Sequence, residues 1–394
     1  MKTIILIYQA HYPWDVRIEK FLKALSDKYV VHLLTRNRKS SKKIERINDR
    51  IFIHRLGFEK NRKFDFLTTP IHLNPLWRIF LQRKIKQLRP SLIIVRDLPL
   101  AKLAIRKGMR FNIPVIFDNA ENYPEFINTF PKYKNVLYKT LNGFKYFTKL
   151  EKYAVKHSSS TINVIEENTV RLRAIYNNTN YLEIYNVPIS DGIIEPSPTD
   201  YLQQINICYA GAVSDDNLRG VSDLIRASEY INYPHKIHVF GDGNEKVNLE
   251  LLAKSNPKIK NNIIFHGSIE YSNLKSILIN MDIGVVPHRK NKMTDTTMAN
   301  KIYEYISYGM CIVSSNAIPL KRFTMDNKIG LVYDSGDYYD LAKKINEAYM
   351  LNLLKYEERL YRYRLFKNTY NWDVEKTKLL SLVNNHLSTM EGKV

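Results

Sequence analysis

The chain is poor in cysteine. Only Cys208 and Cys311 occur in 394 residues, each inside an apolar, strand-like run, which excludes a disulfide framework and fits buried thiols in a reducing compartment better than a lone catalytic nucleophile. Long hydrophobic runs are missing too. The opening Ile4–Tyr8 run is too short for a secretory leader, and no stretch approaches the apolar length of a membrane span, so a buried first strand and a cytoplasmic location are expected. No grouping of His, Cys and acidic residues has zinc spacing, and no Asp-x-Asp pair is available to bridge a metal to a diphosphate. Metal-independent chemistry without a cofactor is the expectation. Short-period repeats and low-complexity segments are also absent.

What is present is ordinary in bulk and lopsided in charge. Hydrophobic residues make up 44% and charged residues 25%, the balance of a soluble globular protein, and the length suits two α/β domains with separate cores. The net charge is +21. Residues 1–200 hold 35 Lys and Arg against 18 Asp and Glu, whereas the remainder holds 25 against 21. A basic first half points to an anionic partner such as a membrane leaflet, a nucleic acid or a phosphorylated substrate; a solvated lysine-rich surface is the bland alternative.

Short β-branched runs alternate with helical periodicity along most of the chain. In the first half the strand-like runs are 4–8, 30–34, 51–55, 92–95, 115–117 and 161–164; in the second they are 205–210, 235–240, 263–266, 283–286 and 312–314. That alternation predicts two parallel sheets of Rossmann type. A Pro- and Ser-rich stretch at 186–199 marks the connection, giving domains over 1–190 and 200–370. A final helical segment, 371–394, is expected to pack back on the first domain. Ligands in open α/β folds sit at the carboxyl ends of strands, so function is sought in the loops that follow them, on a cleft between the two sheets.

The densest cluster of candidate groups lies between Met293 and Ser315: a polar loop, a helix expected over 299–308, a stop at Gly309 and a buried strand. Lys301, Glu304 and Tyr308 fall three and four residues apart and share a helix face. The helix start with Lys301 suits a diphosphate, and Glu304 suits a ribose diol. A solvent-exposed Lys–Glu pair is the plainer reading of the same spacing.

The string Asn300-Lys-Ile-Tyr-Glu-Tyr-Ile-Ser-Tyr-Gly309 before an apolar strand resembles the donor-site helix of glycosyltransferase family 4, retaining enzymes of GT-B fold, in the branch with an Asn-Lys-x-x-Glu-Tyr helix. The resemblance implies a nucleotide-sugar donor, with UDP- or GDP-sugars foremost. The family commonly carries two acids eight positions apart; Glu304 matches the second, while the first falls at Thr296, with Asp295 beside it and Thr297 next. Gly211 with Arg219 resembles the diphosphate loop after the first strand of the nucleotide domain, although Ala212 stands where many relatives have a second basic residue, leaving Lys290, Lys292 or Lys301 to supply charge. Gly241, in Val239-Phe-Gly-Asp-Gly243, matches the turn at the nucleotide-base end.

In the first half, Tyr12-Pro-Trp-Asp-Val-Arg17 resembles the Asp-x-Arg helix start of one branch, placing Asp15, Arg17 and the loop residue His11 on the acceptor side. Arg96-Asp97 and Asp118-Asn-Ala-Glu121 fall where relatives have His-Asp and Asp-x-His-Glu. The resemblance assigns Arg96, Asp97 and Glu121 to catalysis, with Asp118 either in substrate contact or in helix capping. His288 follows a strand of the second half and is placed with the donor, where it would hydrogen-bond hydroxyls or phosphate.

Retention, and a saccharide acceptor of bacterial surface polysaccharide (capsule or lipopolysaccharide), are what the resemblance implies. Same-face attack is expected because no residue stands out as an enzyme base, and the basic first half with the segment 132–150 suggests an acceptor linked to a lipid diphosphate. The segment 132–150 interleaves aromatics with lysines, as an interfacial helix on an anionic inner leaflet would; core aromatics with solvated lysines fit equally. A nucleotide-sugar 2-epimerase of the same fold and a catalytically silent partner subunit remain as alternatives. Nucleic acid is not expected, because the basic residues form no recognisable binding motif.

Overall fold

A computed structural model describes residues 1–13, 15–37, 41–57, 74–129, 143–176, 180–198 and 203–391. The chain divides into two compact units, Met1–Tyr185 with Lys376–Val394, and Asn186–Glu375.

Unit 1 alternates strands and helices: β1 Thr3–Tyr8, α1 Val16–Ser26, β2 Val30–Arg36, β3 Ile44–Arg46, β4 Ile51–Leu56, α2 Pro75–Leu88, β5 Leu92–Arg96, α3 Leu98–Phe111, β6 Val115–Asn119, α4 Tyr123–Thr129, α5 Phe144–His157, β7 Ser160–Asn163, α6 Glu166–Ile175 and β8 Tyr181–Glu183. The sheet order is β3-β4-β2-β1-β5-β6-β7-β8, parallel except for the β3 edge. Ile4, Ile5, Leu6 and Ile7 are all buried because helices cover both faces of a parallel sheet, so its central strands read as unbroken apolar runs. Two short strands, β3 and β8, were not legible in the sequence: neither has an apolar run, and each forms as an edge paired to a neighbour. β6 runs on to Asn119, which carries Asp118 into the sheet.

Unit 2 holds β9 Ile205–Ala210, α7 Asp216–Arg219, α8 Val221–Ala227, β10 His235–Phe240, α9 Lys246–Ser255, β11 Ile263–Gly267, α10 Tyr271–Leu278, β12 Ile283–Val286, α11 Lys301–Ser307, β13 Cys311–Ser315, α12 Ile318–Asp326, β14 Gly330–Tyr333, α13 Tyr338–Met350 and α14 Tyr356–Asn368. Its all-parallel order, β11-β10-β9-β12-β13-β14, is third-second-first-fourth-fifth-sixth in chain order, the doubly wound arrangement of dinucleotide-binding sheets. Ile207, Tyr209, Val239, Val285 and Val313 from four of these strands build one core. Cys208 and Cys311 are buried and unbridged.

The last helix, α15 Trp372–Glu391, starts in unit 2, where the Trp372 N–H donates to the Pro188 carbonyl at 2.8 Å. From Lys376 onward it belongs to unit 1, held by Lys376–Asp27 at 2.6 Å and by His386 against Ser160 at 2.8 Å.

Candidate functional site

In unit 2 the strand order reverses between β9 and β12, where open sheets of this kind take ligands. β9 exits through Gly211, whose φ is 155°. A Cβ at Gly211 would stand 2.8 Å from Lys301 Nζ, and one at Gly241 would stand 1.9 Å from the Gly211 carbonyl. Both positions need glycine because the exits of β9 and β10 are stitched together, Gly211 N–H to Phe240 O at 2.9 Å and Val213 N–H to Asp242 O at 3.0 Å.

Lys301 opens α11 and lays its ammonium 3.6 Å from the centre of the Tyr209 ring. Its Nζ is sealed from solvent and has no hydrogen-bond acceptor among the described residues. Burial, with Arg219 adding to it, holds the amine well below the ordinary lysine pKa against the opposing pull of Cys208 and Glu304. Arg219 donates from Nη1 to His288 Nε2 at 3.0 Å. Burial, with Lys301 and Arg219, keeps His288 well below its ordinary pKa; a neutral ring that accepts at Nε2 carries its proton on Nδ1, and that nitrogen is buried without a partner. Two buried donors, Lys301 Nζ beside the Gly211 turn and His288 Nδ1 on the ring that Arg219 holds, thus lie without acceptors among the described residues.

The supports of this cluster were not singled out from sequence. Tyr305 accepts a hydrogen bond from the Ala210 N–H at 2.7 Å, tying α11 to β9, and Gly284 leaves room for its ring, since a Cβ there would meet Tyr305 at 2.3 Å. Ser315 donates to the His288 carbonyl at 2.5 Å, and Arg289 pairs with Asp223 at 2.8 Å. The signal for Tyr305 was its place in the Glu-Tyr motif; Tyr209 carried none, because a strand tyrosine reads as core.

Two expectations change. The helix is seven residues, Lys301–Ser307, instead of ten, with Tyr308 as its C-cap. The first bonds at its start, Ile302 N–H to Ala299 O and Tyr303 N–H to Asn300 O, both at 3.1 Å, span three residues and leave Ala299 and Asn300 outside it, and Thr294–Thr296 forms a separate 3₁₀ turn before it. The exposed Lys–Glu pair gives way to a lysine turned inward; Glu304 stays half-buried on the same helix. Asp295, Thr296 and Thr297 brace the loop: Asp295 accepts from the Ile318 N–H at 2.9 Å, Thr296 donates to Lys292 O at 3.0 Å, and Thr297 donates to Met293 O at 2.9 Å.

In unit 1 the reversal lies between β1 and β5. Arg96, at the end of β5, faces Asp15 at 3.0 Å, Asp118 at 3.4 Å and Asp97 at 3.8 Å. Burial works against its charge and the carboxylates of Asp97, Asp118 and Asp15 more than offset it, so its pKa stands above the ordinary arginine value. Asp15 also caps α1 by accepting from the Ile18 N–H at 3.0 Å. Arg17 is buried; Nη2 donates to Asp118 at 2.7 Å, Nε at 3.0 Å, and Nη1 to the Ile184 carbonyl at 2.9 Å. Arg17 therefore anchors the strand end from inside. Asp97 has φ 64° and ψ 161°, a region that residues other than glycine enter at a cost. Burial pushes its carboxyl up to about 7, Arg96 opposing and Glu121, Asp118 and Asp15 adding. Glu121 is exposed, and His11 is buried with Nδ1 3.4 Å from the Arg36 carbonyl.

Trp14, and residues 132–142 of the segment read as interfacial, lie outside the described residues. In the rest of that segment Phe147 and Leu150 are core while Lys145 and Lys149 are exposed. Among the described residues no helix is long and apolar enough to cross a membrane, and no group of three or more His, Cys, Asp or Glu is placed to hold a metal.

Residues 204–350 match the family described as glycosyl transferases group 1. No curated protein sequence matches the chain. Similar solved structures include sucrose-phosphate synthase of Thermosynechococcus elongatus, with 14% identity, 99% of this chain and 100% of that one covered, and a TM-score of 0.78. HepE of Anabaena in complex with UDP shares 12% identity over 98% and 100% of the two chains at a TM-score of 0.68. WaaG, a glycosyltransferase involved in lipopolysaccharide biosynthesis, shares 13% over 95% and 98% at 0.64. At such identities the likeness shows the fold, which is GT-B. The family match over the unit that carries Gly211, Arg219, His288, Lys301 and Glu304, on a chain of GT-B fold, makes this protein a glycosyltransferase.

Proposed function

We propose that the chain is a retaining, metal-independent glycosyltransferase of family 4 that moves a sugar from a UDP- or GDP-sugar to a saccharide or lipid-diphosphate-linked saccharide, in the cytoplasm, for bacterial surface polysaccharide. The observation that carries the donor reading is the buried Lys301 ammonium, which has a ring beneath it and no acceptor beside it. A diphosphate supplies what Lys301 and the His288 Nδ1–H lack, and Arg219 adds a second fixed cation; charge building on the leaving diphosphate is then met by groups already in place. Glu304, three residues along α11, takes the ribose hydroxyls. UDP or UDP-glucose in the sites of HepE is consistent with this donor class. In the same reading Arg96, Asp97 and Glu121 attend the transferred sugar and the acceptor.

The test is calorimetry and thermal shift with UDP, GDP, ADP and dTDP and their sugars on the wild type and on Lys301→Met and Glu304→Ala, because a ligand of the native state raises its apparent stability. One nucleotide class should stabilise the wild type and neither variant. Silence across the panel would overturn the donor reading.

A further inference from the structure

The basic surplus of the first half is not spread evenly over unit 1. α2 carries four Lys or Arg and no acid, α3 four and none, and α5 four and a single acid, Glu151. Glu151 is buried and held by Arg171 at 2.6 and 3.0 Å, so it neutralises nothing outside. α3 packs against both α2 and α5, which joins three acid-free helix surfaces into one. Between α2 and α3, Lys107 of α3 is 5% exposed and donates to the neutral Gln82 of α2 at 2.5 Å. Burial, then Arg78, Arg110 and Lys86, hold this amine below the ordinary lysine value; α2 and α3 therefore bring like charges together with no acidic residue of their own between them, an arrangement that costs stability unless an anion relieves it. Large apolar side chains stand among these cations: Leu76 and Ile79 on α2, Met109 on α3 and Phe144 on α5 are 40%, 48%, 62% and 41% exposed.

We propose that the α2–α3–α5 face of unit 1 docks on an anionic phospholipid surface, with the exposed Arg78, Lys86 and Arg110 taking the headgroup phosphates and Leu76, Ile79, Met109 and Phe144 entering the interface. This rests on the functional reading above only in that a lipid-diphosphate-linked acceptor would sit at such a surface, and it is independent of the transfer chemistry. Cations interleaved with exposed aliphatic side chains suit a headgroup layer over hydrocarbon, whereas a nucleic-acid groove would take its cations with hydrogen-bonding side chains or stacking aromatics.

The experiment is flotation of the full chain with vesicles of equal parts phosphatidylcholine and phosphatidylglycerol, against vesicles of phosphatidylcholine alone. Binding is expected to the anionic vesicles only, weakening as ionic strength rises from about 0.15 M to about 1 M. Arg78→Glu with Arg110→Glu should lower the partition at least about tenfold. Lys321→Glu with Lys343→Glu, two exposed lysines of unit 2, makes the same change in net charge and should leave it unaltered. Both variants must keep the wild-type melting temperature; if the first does not, Arg78→Gln with Arg110→Gln takes its place with a smaller loss expected. Equal binding to neutral vesicles, equal losses in the two charge variants, or displacement of the vesicles by duplex RNA would each overturn the proposal. Flotation without nucleotide binding would leave this face standing and remove the transfer reading; nucleotide binding without flotation would do the reverse.

Discussion

The Lys301 ammonium sits 3.6 Å from the centre of the Tyr209 ring with no hydrogen-bond acceptor among the described residues, so of the two sequence readings of this residue, a diphosphate contact and an exposed Lys–Glu pair, the second is set aside because its Nζ is turned inward. A buried, unpaired amine destabilises the unliganded fold. Lys301→Met should therefore raise the melting temperature without ligand, by the equivalent of about 1–3 kcal/mol, while weakening UDP or GDP binding about tenfold to a hundredfold. Melting curves with and without nucleotide measure both. A variant less stable than wild type and unchanged in nucleotide affinity would contradict the assignment.

Asp97 combines a costly backbone with a carboxyl pushed up to about 7 by burial. A folded pKa above the ordinary 3.8 means that the native state holds the proton longer than the unfolded chain, so this residue's contribution declines as pH rises from about 4 to 7 and is flat above. Asp97→Gly removes both penalties. It should gain about 1–3 kcal/mol above pH 7, with a smaller gain at pH 4, and lose transfer activity. Chemical denaturation at the two pH values, with product assay, checks this.

Burial, with Lys84 and His32, pushes His54 down to about 3, and its Nε2 lies 3.0 Å from His32 Nδ1. Here the sign is opposite. The unfolded imidazole takes its proton near 6.5 and the folded one near 3, so stability is full above 6.5 and drains as pH falls between those values. His54→Leu should flatten that acid limb, read as the urea midpoint against pH.

The glycine pair at the strand exits of unit 2 tolerates no side chain. Gly241→Ala would place a Cβ 1.9 Å from the Gly211 carbonyl, a clash with backbone that no rotamer relieves. A loss of about 3 kcal/mol is expected, together with nucleotide binding, whereas Ala212→Gly next to it should be nearly silent. Far-UV melting separates the two.

Arg17 and Asp118 are both almost fully buried and bonded through two guanidinium nitrogens. Arg17→Met leaves a carboxylate that, among the described residues, only Arg96 neutralises, and should cost about 3–5 kcal/mol. The double change Arg17→Met with Asp118→Leu should recover most of that loss in denaturant titrations, since the uncompensated charge is gone. If the double variant is as unstable as the single, the pair is not what holds this strand end.

Much was legible before folding. The strands 4–8, 92–95 and 205–210 show as apolar runs because parallel strands are buried on both faces, and the cluster 293–315 shows through the spacing of its polar groups. The short edges β3 and β8 do not show, since pairing with a neighbour and not burial defines them. Helix α11 was read too long because its ends, Ala299–Asn300 and Tyr308, make three-residue turn bonds that the polar and apolar spacing does not distinguish from a continuing α-helix.

By itself the sequence determined two α/β halves, which follow from periodic burial, and a surplus of positive charge in the first half, which is fixed by composition; the strand-exit glycines Gly211 and Gly241 stood out through the family resemblance. Only tertiary structure decided that Lys301 turns inward onto Tyr209, that Arg17 closes on Asp118 101 residues away, and that three helices pool their cations on one face. These pairings depend on strand order and helix packing, which bring together residues that no local pattern relates.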